Sequence, residues 1–154
     1  MLDGSIQVEQ TFLSFRRAMT RMLRASLMQR PILSSDQSVL DYLRAQMAYD
    51  PIERFRVLFL NAGNELIADE VMGVGTVSAV QAWPREILKR CLDLEATAIL
   101  LVHNHPSGCP TPSRADRDLT DKIAYAARCF NIVLHDHLIV ARNGTISFRG
   151  AGYL

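Results

Sequence analysis

A short apolar run at residues 97–102, followed at once by His103 and His105, constrains the fold of this chain more than any other feature. The run is rich in strand formers, so it predicts a buried central β-strand. Alternate residues of a strand point to the same face, so the two imidazoles are expected to project together from its end. Asp116 completes a set of three protein ligands within fourteen residues. Three ligands with a fourth position open to water are typical of a catalytic zinc site.

Ser113 and Asp116 also form a Ser-x-x-Asp pattern directly after Pro112, which is typical of a helix capping box. That interpretation explains both residues without a metal ion. The two interpretations are compatible, because a helix that begins beside the strand end presents its first carboxylate towards the histidines. The sequence leaves both open.

A second His-x-His pattern, His135 and His137 around Asp136, follows the apolar residues 132–134. It lacks a nearby downstream carboxylate and a glycine-rich turn, so we interpret it as structural or as support for a metal ligand, which metal sites commonly require. Cys109 lies in the loop between the candidate ligands. A thiolate bound to the metal would close the open position, so we leave Cys109 out of the ligand set.

The composition is that of an ordinary globular domain. The 154 residues are 49% hydrophobic and 21% charged, and the formal net charge of +1 argues against a dedicated nucleic-acid binder. The three cysteines have no CxxC spacing, which argues against a disulfide framework or a cysteine zinc ribbon. No apolar stretch reaches the length of a membrane span, and the N-terminus lacks an apolar signal region. We therefore expect a cytoplasmic protein with no membrane contact.

Hydrophobic periodicity and turn signals predict an α/β domain with a mixed β-sheet and helices packed on it. The predicted helices span residues 8–29 and 113–130, a stretch that runs from an N-cap within 34–36 to about residue 47, and a stretch opened by residues 83–86 that reaches residue 94. The predicted strands span residues 54–60, 65–71, 97–102, 132–140 and 145–148, with a loop at 72–76.

The first predicted helix has two distinct faces. Its apolar stripe consists of Phe12, Phe15, Met19, Met22, Leu23 and Leu27. Arg17, Arg21 and Arg24 line another face, which fits a solvated surface; contact with nucleic-acid phosphates is the alternative.

His-x-His, seven residues, Ser, two residues and Asp is the signature of the JAMM metalloprotease (Mov34/MPN, JAB1-type) superfamily, and the chain meets it at His103, His105, Ser113 and Asp116. Five blocks in order resemble its bacterial RadC branch: residues 55–60, 66–70, 84–86, 103–108 and 136–140. The resemblance covers about residues 30–149. It implies a JAMM/MPN-like (cytidine-deaminase-like) α/β fold, with a mixed β-sheet flanked by helices and preceded by N-terminal helices. The match is to a short form without the N-terminal helix-hairpin-helix, a DNA-binding element of longer relatives.

The resemblance also implies a role for each matching residue. His103, His105 and Asp116 would hold Zn²⁺, with the catalytic water as the fourth ligand. Ser113 would hydrogen-bond or stabilise the oxyanion. The family also uses a glutamate at the start of the first core strand as general base, and Glu53 stands there. Glu70, on the returning strand of the hairpin, is the second choice.

Two functions of different classes follow. The first is a zinc-dependent metallohydrolase that cleaves a peptide or isopeptide bond in an unidentified protein or peptide substrate. The second is a RadC-like accessory protein of DNA repair or DNA metabolism with a mainly structural zinc site, for which the arginine face is the best support. We expect an N-terminal helical segment at residues 1–33 and a RadC-like JAMM/MPN domain at residues 34–154. The sequence specifies neither the substrate nor the oligomeric state.

Overall fold

The computed structural model describes residues 3–28, 30–75 and 82–154. In chain order the elements are α1 (Asp3–Leu27), α2 (Gln37–Met47), β1 (Arg54–Leu60), β2 (Leu66–Val74), α3 (Pro84–Asp93), β3 (Ala98–Asn104), α4 (Arg114–Cys129), β4 (Val133–Ala141) and β5 (Gly144–Ser147). This is the predicted order of helices and strands.

The five strands form one mixed sheet in the order β2-β1-β3-β4-β5. β3 and β4 pair in parallel through the α4 crossover, whereas the other three pairings are antiparallel. The predicted α/β fold with a mixed sheet is therefore confirmed. β3 lies at the centre, and all seven of its residues are buried, as expected for a strand with both faces covered.

Each face of the sheet has its own apolar core. On one face, Leu100 and Val102 of β3 pack with α2 residues such as Val39 and Leu43. On the other face, Ile99 and Leu101 pack with side chains of α3 and α4. The alternation along β3 therefore assigns His103, the next odd-numbered residue, to the α4 face.

Local sequence signals explain where the helices begin. Asp36 caps α2 by accepting a hydrogen bond from the Ser38 backbone N–H at 2.9 Å. Pro84 occupies the first turn of α3, where its missing N–H costs nothing.

Some boundaries differ from the prediction. β2 continues to Val74 because its last residues pair with Arg54 and Phe55 across a bulge. Leu92 in the last turn of α3 and Phe130 at the end of α4 are apolar residues that the periodicity of these helices predicts to be buried, but they are 54% and 53% exposed. Thr76, the last residue of the predicted loop, lies outside the described residues.

The first helix begins earlier than predicted, at Asp3, and ends at Leu27; Gln29 lies outside the described residues. Leu27 is fully buried and Leu23 packs against the same core. The rest of the predicted apolar stripe is exposed. The division of the chain at residues 33 and 34 stays a prediction.

Within the described ranges, no helix combines the length and the apolar character needed to cross a bilayer.

Candidate metal centre

Four side chains from separate parts of the chain converge at the end of β3. Glu53, His103, His105 and Asp116 each offer one ligand atom, and these atoms lie within 4.8 Å of one another. Glu53 directly precedes β1, the two histidines lie at and just beyond the end of β3, and Asp116 is in the first turn of α4. The structure thus brings together the three predicted metal ligands and the predicted general base.

A chain of hydrogen bonds orients His103. Its Nδ1 lies 2.8 Å from Nε2 of His137, and Nδ1 of His137 lies 2.6 Å from the Thr120 hydroxyl. That hydroxyl donates its one proton to the Asp116 backbone carbonyl at 2.6 Å. Thr120 therefore accepts from Nδ1–H of His137, which leaves Nε2 of His137 to accept from Nδ1–H of His103. The Nε2 lone pair of His103 consequently points into the site.

His105 is oriented in the same sense by the loop that follows β3. Its Nδ1 lies 2.9 Å from the Cys109 carbonyl oxygen, which only an N–H can satisfy, so its Nε2 also carries a lone pair. Its backbone N–H donates to the Val140 carbonyl at 3.0 Å, which continues the pairing of β3 with β4. Gly108, at φ +89°, lets the loop turn back towards the imidazole.

The centre therefore presents acceptors to one another without a proton between them. The two Nε2 atoms are 2.9 Å apart, and the Asp116 oxygens lie 3.2 Å from Nε2 of His103 and 3.5 Å from Nε2 of His105. Ligands of a tetrahedral zinc ion bound at about 2.0–2.1 Å are separated by about 3.3 Å. Two lone pairs and a carboxylate at this spacing fit a shared cation, so the group could bind a metal ion.

The Asp116 side chain takes part in both interpretations of its motif. The capping box is complete, since the Asp116 N–H donates to the Ser113 hydroxyl at 3.1 Å and the Ser113 N–H donates to Asp116 Oδ2 at 2.7 Å. The Ser113 hydroxyl also donates to Oδ2 at 2.6 Å. The cap fixes the carboxylate beside the histidines. Helix capping and convergence on the candidate site are therefore the same arrangement.

The local charges follow from these contacts. Burial raises the pKa of Asp116, but His103 and His105, which would donate to its carboxylate when protonated at Nε2, together with the hydrogen bond from Ser113, outweigh that effect and hold the pKa far below its usual value. When His105 takes up a second proton on Nε2, that proton is donated to Asp116, and this hydrogen bond raises the pKa of His105. A proton on His105 and a metal ion thus compete for the same lone pair.

Glu53 is held by the residue between the two histidines. Asn104 accepts a hydrogen bond from the Arg54 backbone N–H at 2.8 Å and donates to the Ile52 carbonyl at 3.0 Å. These bonds bracket Glu53 and attach its segment to the end of β3. Burial raises the pKa of the Glu53 carboxyl, partly offset by His103 and His105. A carboxylate with a raised pKa is a better proton acceptor at neutral pH.

Aromatic side chains keep water from the back of the site. The Phe55 ring stacks on His103 with centroids 6.0 Å apart, and Phe148 lies 4.6 Å from His137. Burial in this apolar layer lowers the pKa of His137 well below its usual value. His137 therefore stays neutral, as its place in the hydrogen-bond chain requires.

Three other residues considered from the sequence have different partners. Glu70 forms a two-pronged ion pair with Arg90, with the shortest N–O distance 2.6 Å. His135 lies 2.6 Å from the Asn64 side-chain oxygen. The exposed Cys109 thiol contacts the Thr111 hydroxyl at 3.2 Å. None of the three belongs to the converging group of described residues.

Two residues with a role at the site were missed by the sequence analysis. Thr120 stands one turn after Asp116 in α4, where a single threonine gives no signal. For Asn104 the sequence did contain a signal, because the middle residue of a His-x-His on a strand must face away from the histidines. It therefore reaches the segment that precedes β1.

Comparisons with known proteins identify the family of this chain. The model of the RadC-like JAB domain family matches residues 33–153. A UPF0758 protein of Rhodobacter capsulatus is 53% identical over 89% of this chain, and a UPF0758 protein of Ruegeria pomeroyi is 50% identical over 87% of it.

The chain spans 64% and 60% of the length of these two relatives. The family match nevertheless covers most of the chain, including β1 to β5 and all four converging residues. The protein belongs to the RadC-like JAB domain family.

Proposed function

We propose that this chain is a zinc-dependent hydrolase that cleaves peptide or isopeptide bonds. The observation that carries the proposal is the convergence of Glu53 with His103, His105 and Asp116 within 4.8 Å. A carboxylate held beside three metal-ligating groups is the arrangement that a hydrolytic metal site needs.

The three acceptors would hold the metal, since His103 and His105 offer Nε2 lone pairs and Asp116 offers a carboxylate. Two imidazoles and one carboxylate suit zinc, and three protein ligands leave a position for water or substrate. When bound, zinc acts as a Lewis acid and lowers the pKa of a bound water to about 7.

Glu53 would carry the proton. It takes a proton from the attacking water as the water oxygen bonds to the carbonyl carbon, and it delivers that proton to the amine nitrogen as the C–N bond breaks. The raised pKa of its carboxyl supports both transfers. The backbone bonds made by Asn104 on either side of Glu53 keep the carboxylate at the site.

Ser113 would act first on Asp116. Its hydroxyl proton is donated to that carboxylate at 2.6 Å, which fixes the oxygen atoms that face the histidines. Stabilising the developing charge on the substrate carbonyl oxygen, the role that the family resemblance implies, requires the hydroxyl to turn from Asp116 to the substrate.

The decisive test compares Glu53→Gln with Glu70→Gln in zinc-loaded protein. The probe is a mixed library of linear peptides and peptides branched at the lysine ε-amine, with new ends identified by mass spectrometry. We expect Glu53→Gln to keep its zinc and lose about 10²–10⁴-fold in cleavage rate, the usual contribution of a general base. Glu70→Gln removes the same charge from the ion pair with Arg90 and should cleave at the wild-type rate. Equal activity of all three proteins would refute the proposal.

A DNA-metabolism accessory role is the second candidate, and one observation favours it. Arg17, Arg21 and Arg24 are exposed on α1, where guanidinium groups are accessible to phosphates. Fluorescence anisotropy with duplex DNA at increasing salt tests this role. Affinity that falls with salt, and whose salt dependence weakens in an Arg17→Gln/Arg21→Gln/Arg24→Gln variant, would support it; wild-type affinity in that variant would exclude this surface.

A further inference from the structure

Most of α1 makes no packing contact with the other residues that the structure describes. Residues 6–19 are exposed around the whole helix, whereas Leu23 and Leu27 near its C-terminal end reach the core beside α2. An isolated helix is marginal in water, because most helical stability in proteins comes from packing of an apolar face. The projecting part of α1 therefore needs a partner for its apolar face.

The exposed apolar residues of this part have the spacing of a coiled coil. Five of them follow one another at intervals of four, three, four and three residues, and each is between 41% and 75% exposed: Val8, Phe12, Phe15, Met19 and Met22. A repeat of 3.5 residues keeps a narrow apolar seam facing a second helix along its length. We call these five residues the α1 seam.

The α1 seam is separate from the surface that docks on the domain. With 100° of rotation per residue, the seam lies about a quarter turn around the helix from Leu23 and Leu27. The helix can thus pack on α2 at its C-terminal end and offer the seam to another helix at the same time.

The flanking charges indicate what that helix is. If Phe12 and Phe15 occupy positions a and d of one heptad, Glu9 and Arg16 both occupy position e, which flanks the seam. In an antiparallel pair of helices, position e of one helix lies beside position e of the other. A second copy of α1, centred on Phe12 against Phe15, brings Glu9 of each helix beside Arg16 of the other. In a parallel pair, Arg16 faces the uncharged Thr11 instead.

The antiparallel arrangement also leaves room for the domains. Residue 22 of one helix lies near residue 5 of the other, so the two domains are attached at opposite ends of the helical pair, and the two copies of residue 22 are roughly 26 Å apart at 1.5 Å per residue. We propose that α1 is a dimerisation helix, whose seam packs antiparallel on the seam of a second copy, with reciprocal ion pairs between Glu9 and Arg16.

Sedimentation equilibrium of the full chain over a wide concentration range tests the proposal. We expect a reversible dimer, and we expect Phe12→Glu/Phe15→Glu to weaken its association by more than about 100-fold, because four buried rings are lost per dimer. Leu13→Glu is the matched control, since Leu13 is an exposed apolar residue of the same helix outside the seam. It should dimerise as the wild type does.

A charge exchange tests the orientation. Glu9→Arg or Arg16→Glu alone should weaken the dimer by up to about tenfold, because two ion pairs become repulsive, and the combined variant should restore it. A wild-type chain that is monomeric at every concentration would overturn the proposal and assign the seam to another occupant. A dimer unaffected by the Phe12/Phe15 change would exclude the seam, and combined charges that fail to restore would exclude the antiparallel pairing.

Discussion

The two His-x-His segments lie on neighbouring parallel strands, yet they do different things. The first sends both His103 and His105 to the candidate metal centre. The second sends only His137 towards that centre, where it contacts His103 at 2.8 Å, while His135 contacts Asn64 at 2.6 Å. The same three-residue pattern therefore gives two candidate ligand atoms at the end of one strand and one supporting contact in the next.

A β-bulge in the second segment explains the difference. Ile99 pairs with Leu134 and Leu100 pairs with Asp136, so His135 has no partner in β3. The extra residue changes the alternation, which leaves Leu134 and His137 on the α4 side although they are three positions apart. The first segment has regular pairing through His103 and Asn104.

The middle residues of the two segments are more alike than the histidines. Asn104 binds the backbone on both sides of Glu53. Asp136 accepts from the Ser147 hydroxyl at 2.5 Å and from the Arg149 backbone N–H at 3.0 Å. Each ties a neighbouring segment to the sheet, but only Asn104 holds a residue of the candidate site.

The largest expected effect is the difference between His105 and His135, the histidine of each segment that takes no part in the contact between His103 and His137. His105→Ala removes one of three ligands and should lower zinc affinity by more than about 100-fold, since loss of an outer partner alone costs 10–100-fold. His135→Ala removes the histidine of the second segment that contacts Asn64 and not the candidate centre, and this variant should bind zinc as the wild type does. Competition with a zinc-binding dye measures both. Equal losses of zinc affinity in the two variants would contradict the different roles of the two His-x-His segments.

A smaller loss is expected from the far end of the hydrogen-bond chain. Thr120→Val removes the acceptor for Nδ1–H of His137 and should weaken zinc binding by about 10–100-fold. Thr120→Ser keeps the hydroxyl and should restore most of the affinity. The same dye competition is the measurement. If Val and Ser variants bind alike, Thr120 does not orient His103 through His137.

Substitutions of the two middle residues should affect different properties: Asn104 the cleavage rate, and Asp136 the free energy of unfolding. Asn104→Ala should slow cleavage while zinc stays bound, because Glu53 loses its anchors. Asp136→Asn should cost about 1.5–3 kcal/mol of unfolding free energy, as expected for hydrogen bonds to a charged group, with zinc affinity unchanged. Kinetics and urea unfolding on both variants check this. A normal cleavage rate in Asn104→Ala would show that Glu53 needs no support from β3.

The smallest effect concerns pH. Burial lowers the folded-state pKa of His137 well below its usual value, so as pH falls through about 6.5 the unfolded chain takes up a proton that the folded chain does not. The stability of the metal-free protein should therefore lose this contribution on acidification. His137→Gln should flatten the slope more than His135→Gln, whose histidine has a pKa lowered less strongly by burial. Urea unfolding in buffer with chelator, from roughly pH 7.5 to roughly pH 5, measures the pH dependence of the unfolding free energy on both sides of the ordinary histidine pKa. Identical slopes in the two variants would contradict a neutral His137 in the folded protein.

The sequence was informative where one strong local rule decides the structure. The apolar run at residues 97–102 identified β3, and the alternation of a strand placed His103 and His105 together. The capping pattern located the start of α4 and, with it, Asp116. Glu53 came from the family resemblance and not from any local rule.

Other features depend on contacts that a sequence does not display. The bulge at His135 arises from pairing between β3 and β4, so the sequence alone could not show that His137 faces the candidate centre while His135 does not. Thr120 acts through a neighbour on another element. In α1, the sequence shows an apolar stripe, but the structure buries Leu27 and partly buries Leu23, at the end of the helix that contacts α2, and leaves the rest of the stripe exposed.

The central claim is that three acceptors at the end of β3 share one metal ion. Its most direct test is the zinc content of the purified chain by inductively coupled plasma mass spectrometry after zinc-supplemented expression, beside folded Asp116→Asn. The account predicts about one zinc per chain in the wild type and a large loss in the variant, whose amide keeps the shape but not the charge. No zinc in the wild type, or equal zinc in both, would contradict it.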